Sequence, residues 1–211
     1  HLKHLVLELI GQLHKITEDV GKYCLILFDD SYWHDHILET VFLGHPLWVR
    51  YLLHTGLISE WLSSSDERFV NRALWLLRSV AEHIPDKVTE ILAPFVGEGG
   101  EWPARILNTI CMKESHDSEP MFELRLRLAR NGYVKDFVEW KTLCKMYPLR
   151  AIRLIEAVVS TWEFDDNDTS GRRKGRLESW FSEDIQALYS VVTKYPIETW
   201  DLLMPHIERL T

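Results

Sequence analysis

The chain has 211 residues, of which 46% are hydrophobic and 27% charged, enough for a sizeable core and far from the composition of a disordered segment. Its formal net charge of −8 argues against a generic electrostatic affinity for nucleic acid or an anionic membrane. No stretch is long and apolar enough to span a bilayer and no signal-peptide pattern opens the chain, so the expectation is one cytoplasmic domain over 1–211, with no membrane association.

The first predicted element follows from spacing. Leu2, Leu5, Leu9, Leu13, Ile16, Val20, Tyr23 and Leu27 are separated by 3, 4, 4, 3, 4, 3 and 4 residues, a stripe that only a helix gathers on one side. Gly11 and Gly21 weaken that helix, so it is expected to be long or broken once. The alternative takes Cys24 to Asp30, CLILFDD, as a buried strand ending in two acids, which resembles the magnesium-binding strand of a P-loop ATPase. No G-x-x-x-x-G-K-[ST] loop exists to cradle the phosphates, and the helix is preferred. His34, Asp35 and His36 follow close to Asp29 and Asp30. Helical residues two apart point about 200° apart, so the two imidazoles do not converge on one ion, and the stretch reads as a helix start.

From Glu67 to Val96 the chain reads as two helices meeting at Pro85. Val70, Ala73, Leu74, Leu77, Val80, Ala81 and Ile84 form the stripe of the first, and Val88, Ile91, Leu92 and Phe95 that of the second. A proline disfavours the helical conformation one residue back yet suits the first helical turn, so the break belongs at Ile84. Gly97, Gly99 and Gly100 make a loop before two further helices, Trp102 to Lys113 and Pro120 to Asn131, the latter ended by Gly132. Residues 163–179, EFDDNDTSGRRKGRLES, are polar and contain two glycines, which predicts a mobile surface loop. Helix resumes near Trp180, with Ser182 as its expected cap.

The Pro85 pattern recurs. With Pro46, Pro85, Pro148 and Pro196 in register, the sixth and seventh residues onward are apolar each time: Leu52 and Leu53, Ile91 and Leu92, Leu154 and Ile155, Leu202 and Leu203. Five and four residues before the proline stand Val41 and Phe42, Val80 and Ala81, Leu143 and Cys144, Val191 and Val192. The prolines are 39, 63 and 48 residues apart, and the first and last gaps fit a helical repeat of roughly 40 to 47 residues.

On these four units the chain resembles the HEAT and armadillo-like helical repeats, over nearly its whole length but without a regular Asp and Arg pair in every unit. The resemblance implies an all-α, right-handed α-α superhelix of about five stacked helical hairpins, HEAT-like, in which each unit buries its apolar face against the next. It is also similar to the helical sensor arm of some signalling ATPases of the STAND type. His1 in place of Met agrees with a segment of a longer chain.

Candidate sites are few. Cys24, Cys111 and Cys144 lie far apart among apolar neighbours and read as buried free thiols. No G-x-S-x-G, no Cys and His signature and no phosphate loop occurs, so neither catalysis nor a cofactor is expected. Nine tryptophans read chiefly as packing residues, with a few as anchors for a partner.

The segment Met121 to Arg153 holds eight bases against three acids, a local excess of five positive charges in an otherwise acidic chain. Arg125, Arg127, Arg130, Lys135, Lys145, Arg150 and Arg153 are therefore the candidate partner-binding residues, if they form a ridge rather than pair with nearby acids. The expected function is a non-enzymatic binding or scaffold module for a protein or an adjacent domain. The alternatives are nucleic-acid contact through residues 121–153, which the net charge disfavours, and a sensor arm.

Overall fold

A computed structural model describes residues 2–29, 34–98, 100–110, 118–131, 140–160 and 185–207, and among them the fold is all-α with no strand. The chain divides into two compact units, His1–Leu92 and Ala93–Thr211. The expected loop at 163–179 and the expected cap at Ser182 lie outside the described residues.

The first unit contains α1 (Leu2–Gly11), α2 (Glu18–Asp29), α3 (His34–Ile37), which continues as a π turn over Leu38–Phe42, then α4 (Pro46–His54), α5 (Leu57–Leu62), α6 (Glu67–Val80) and α7 (Pro85–Leu92). The N-terminal stripe is therefore helix broken once, between Gly11 and Glu18, and Cys24 to Phe28 are helical. Both glycines of that stretch sit at close approaches. A Cβ at Gly11 would lie 2.6 Å from the Thr40 carbonyl oxygen, and one at Gly21 would lie 2.2 Å from the Tyr51 ring. They lower helix propensity, but they let α1 meet the π turn and α2 meet α4.

An aromatic group forms the centre of this unit. The Phe28 ring lies 5.4 Å from both Phe42 and Trp61, and Phe42 lies 5.6 Å from Trp48. The His34 ring lies 3.9 Å from that of Phe28, tilted by 31°, and its Nδ1 bonds the Phe28 carbonyl at 3.0 Å at the end of α2, while its Nε2 is buried without a partner among the described residues. Trp48, Phe42 and Cys24 are fully buried.

The second unit opens with a 3-10 turn at Ala93–Gly97 and contains α8 (Trp102–Ile110), α9 (Glu119–Arg130), α10 (Trp140–Met146), α11 (Pro148–Ser160), α12 (Ile185–Lys194) and α13 (Pro196–Ile207). Here α11 is central, packed by α9, α10 and α13. Its Ala151, Ile152, Leu154, Ile155, Ala157 and Val158 join Phe122, Leu126 and Ala129 of α9 and Leu143 and Cys144 of α10 in one apolar cluster.

Each of the four register prolines is the first residue of a helix, α4, α7, α11 or α13. The reason is local: proline lacks the N–H that a first-turn residue has no partner for, and its fixed φ suits that turn. His45 just before Pro46 is extended, at φ −107° and ψ 96°. The register positions ahead of the prolines are buried at Val41, Phe42, Val80, Ala81, Leu143, Cys144 and Val191, whereas Val192 is 39% exposed. Among the described residues no helix is long and apolar enough to cross a membrane.

Candidate functional site

A concavity lies in the first unit, where α4 faces the corner that joins α6 to α7. The sequence builds it in two steps. Asp66 caps α6 by accepting the Arg68 N–H at 3.0 Å, and α6 runs until Val80. The chain then turns, with the N–H groups of His83 and Ile84 both bonding the Val80 carbonyl, at 2.9 and 3.0 Å, and Pro85 starts α7. Ile84 is 3% exposed and anchors the corner, which leaves His83 on the outside. On the other wall, α4 buries Trp48, Val49 and Leu52 and thereby turns Arg50, Leu53 and His54 the other way.

Between these walls lies an open cleft of about 670 Å³. Leu53, Ile84, Pro85 and Ile91 give it an apolar floor, and Arg50, His54, His83, Asp86, Lys87 and Glu90 stand around it. Lys87 and Glu90 neutralise one another at 2.7 Å. Asp86 occupies the first turn of α7, where a carboxylate offsets the positive end of the helix dipole. Arg50, His54 and His83 are exposed and make no hydrogen bond or ion pair with any described residue. The cleft thus offers an apolar base beside three basic side chains with unused donors.

The bases singled out from sequence are arranged differently. Arg125 is fully buried in α9, because it falls on the same helical face as Phe122 and Ala129, three before and four after. It is therefore not part of an exposed ridge. Arg150 bonds Glu119 at 2.6 Å and stacks over Tyr147 and Phe122 at 4.7 and 5.1 Å. Arg153 reaches Glu123 at 2.5 Å and Glu119 at 3.4 Å, also over Phe122. Arg130 pairs with Glu156 at 3.6 Å, a carboxylate that also meets His206 at 2.9 Å. Arg127 is exposed and reaches the Ala93 carbonyl at 3.4 Å, and Lys145 is exposed on α10. Lys135 lies outside the described residues.

The structure thus turns Arg150 and Arg153 onto acids of α9 and draws attention to Arg50, His54 and His83, which spacing alone did not mark. A signal existed. Arg50 and His54 are four apart on the polar side of α4, and His83 sits two residues before a corner proline. Nothing in the sequence, however, places those two stretches opposite one another.

Cys24 and Cys144 are buried and in no disulfide, and Cys111 lies outside the described residues. Among the described residues no three His, Cys, Asp or Glu side chains converge on a metal position. Comparison of the chain with family profiles, with curated proteins and with solved structures gives no match in any of the three.

Proposed function

We propose that this chain is a non-enzymatic helical-repeat module, HEAT-like in the sense of about five stacked hairpins in a right-handed superhelix, that binds a protein partner or an adjacent domain through the helices beginning at the corner prolines. The observation that carries the reading is the residue immediately after those prolines. Leu47, Leu149 and Ile197 are 41%, 50% and 71% exposed, and only the unit at Pro85 differs, with Asp86 there. An apolar residue recurring at one repeat position without being used by the core is what a contact surface requires.

Nucleic-acid contact through residues 121–153 is less well supported, since Arg150 and Arg153 already face Glu119 and Glu123. Affinity capture from the source cells tests the reading, comparing the chain with the triple variant Leu47→Asp, Leu149→Asp, Ile197→Asp, after circular dichroism confirms equal folding. A partner retained by the wild-type chain and lost by the variant is the expected result. Retention of no protein at all, or of a nucleic acid with a steep salt dependence, overturns it.

A further inference from the structure

We infer that the partner meets the second unit with an amphipathic α-helix, laid across the neighbouring corners at Pro148 and Pro196 so that apolar residues seven apart sit on Leu149 and Ile197. This deepens the proposed binding function and rests on it.

The placement of the two corners follows from how the hairpins stack. Helix α10 packs on α12 and α11 on α13, so one proline-cornered hairpin lies on the next. Glu156 stands eight residues beyond Pro148 and His206 ten beyond Pro196, and their side chains meet at 2.9 Å. Packed helices that touch at nearly equal distances from their starts run parallel and close to register, which brings the starts alongside one another. Leu149 and Ile197, each the residue after its proline, are then separated by about one helix-to-helix spacing, about 8 to 10 Å.

That spacing selects the occupant. Residues seven apart on a helix are separated by about 10.5 Å along its axis and face the same way to within about 20°. Residues two or four apart on one face of a strand are about 7 or about 13 Å apart, and miss the corners on either side. Area points the same way. Met146 and Leu149 at the first corner are each 50% exposed, and Ile197 and Trp200 at the second are 71% and 62% exposed. Together they present apolar surface on the order of 500 Å². That suits one face of a single helix and falls short of the roughly 800 Å² that each member of a stable pair of folded proteins contributes, a second copy of this chain included.

Charge makes no selection here. Lys145 and Lys194, in the last turns before the corners, are matched by Glu198 and Asp201 on α13, while Arg150 and Arg153 face Glu119 and Glu123. The gain on docking is therefore the release of water from the apolar residues.

Fluorescence anisotropy of the full chain tests this with two labelled peptides of about three heptads, each carrying Lys and Glu in equal number. In one, Leu occupies the first and fourth positions of every heptad; in the other the same residues are permuted so that Leu alternates with polar residues. The heptad peptide is expected to bind about tenfold more tightly and to gain helical circular dichroism as it binds. Leu149→Asp with Ile197→Asp is expected to cost about tenfold, and Ile26→Asp, at an exposed position of α2 in the first unit, to change nothing, each variant first shown to fold like the wild type. Equal affinity for the two peptides overturns the inference without recourse to any variant, as does binding without a gain of helix or a double variant that binds unchanged. If neither peptide binds while partner capture still depends on Leu47, Leu149 and Ile197, the helix is overturned and the module reading stands; if capture fails as well, both fall.

Discussion

The indole nitrogen of Trp48 donates a hydrogen bond to the carbonyl of Ile10 at 3.1 Å, tying the largest fully buried side chain of α4 to the last turn of α1. Carbonyls at a helix end lack intrahelical partners, and Ile10 is served by Trp48 and by the Leu13 N–H at 3.3 Å. Trp48→Phe keeps an aromatic ring beside Phe42 but removes the donor and leaves a small void. It is expected to lower stability by about 1 to 3 kcal/mol in urea denaturation, and a variant as stable as wild type would show that the bond contributes nothing.

Gly11 and Gly21 are expected to respond differently to alanine. At Gly11 the added carbon meets the backbone carbonyl of Thr40, which moves only if the π turn moves, and a loss of about 1 to 3 kcal/mol is expected. At Gly21 it meets the ring of Tyr51, a side chain that can rotate away. Gly21→Ala should therefore cost less, and in a Tyr51→Ala background it should raise the melting temperature by restoring helix propensity. Equal losses at both positions in thermal melts would contradict this distinction.

The Asp66 cap carries a pH signature. The Arg68 guanidinium and then the Arg68 N–H hold the Asp66 carboxyl below its ordinary value of 3.8. A lowered folded value means that the contribution is complete above the unfolded value and disappears as pH falls through the folded one. Asp66→Ala is thus expected to be less stable than wild type near neutrality, with the two chains converging in strong acid. A gap that persists undiminished in strong acid would assign the effect to helix propensity rather than to the carboxylate.

Cys24 is fully buried, and burial pushes its thiol from 9.0 up to about 11. Because the folded value is the higher one, the neutral thiol stabilises fully below about pH 9, and that contribution is lost as pH rises toward 11. Two outcomes are expected: Cys24 resists iodoacetamide in the native protein and reacts in denaturant, and Cys24→Ser flattens the alkaline loss of stability while lowering the stability at pH 7. Rapid native labelling of Cys24, read by peptide mass, would contradict its burial.

Much of the helical plan was legible along the chain. The three- and four-residue spacing of Leu2 to Leu27 identified helix where CLILFDD alone suggests a strand, because a period of 3.6 is a local property that a short apolar run cannot imitate over several turns. The corners at Pro46, Pro85, Pro148 and Pro196 were legible for an equally local reason, the geometry of the pyrrolidine ring. Even the burial of Arg125 was implicit, since its helical phase is that of Phe122 and Ala129, although counting charges along Met121 to Arg153 concealed it.

What tertiary structure alone decided is which polar faces meet. Arg150 and Arg153 find Glu119 and Glu123 some thirty residues away, and Arg50 comes to share a cleft with His83. Backbone spacing fixes where a side chain sits on its own helix, because that depends only on near neighbours. Whether a charge is quenched or left open depends on the helix packed across from it, and that is set by how whole apolar faces fit together.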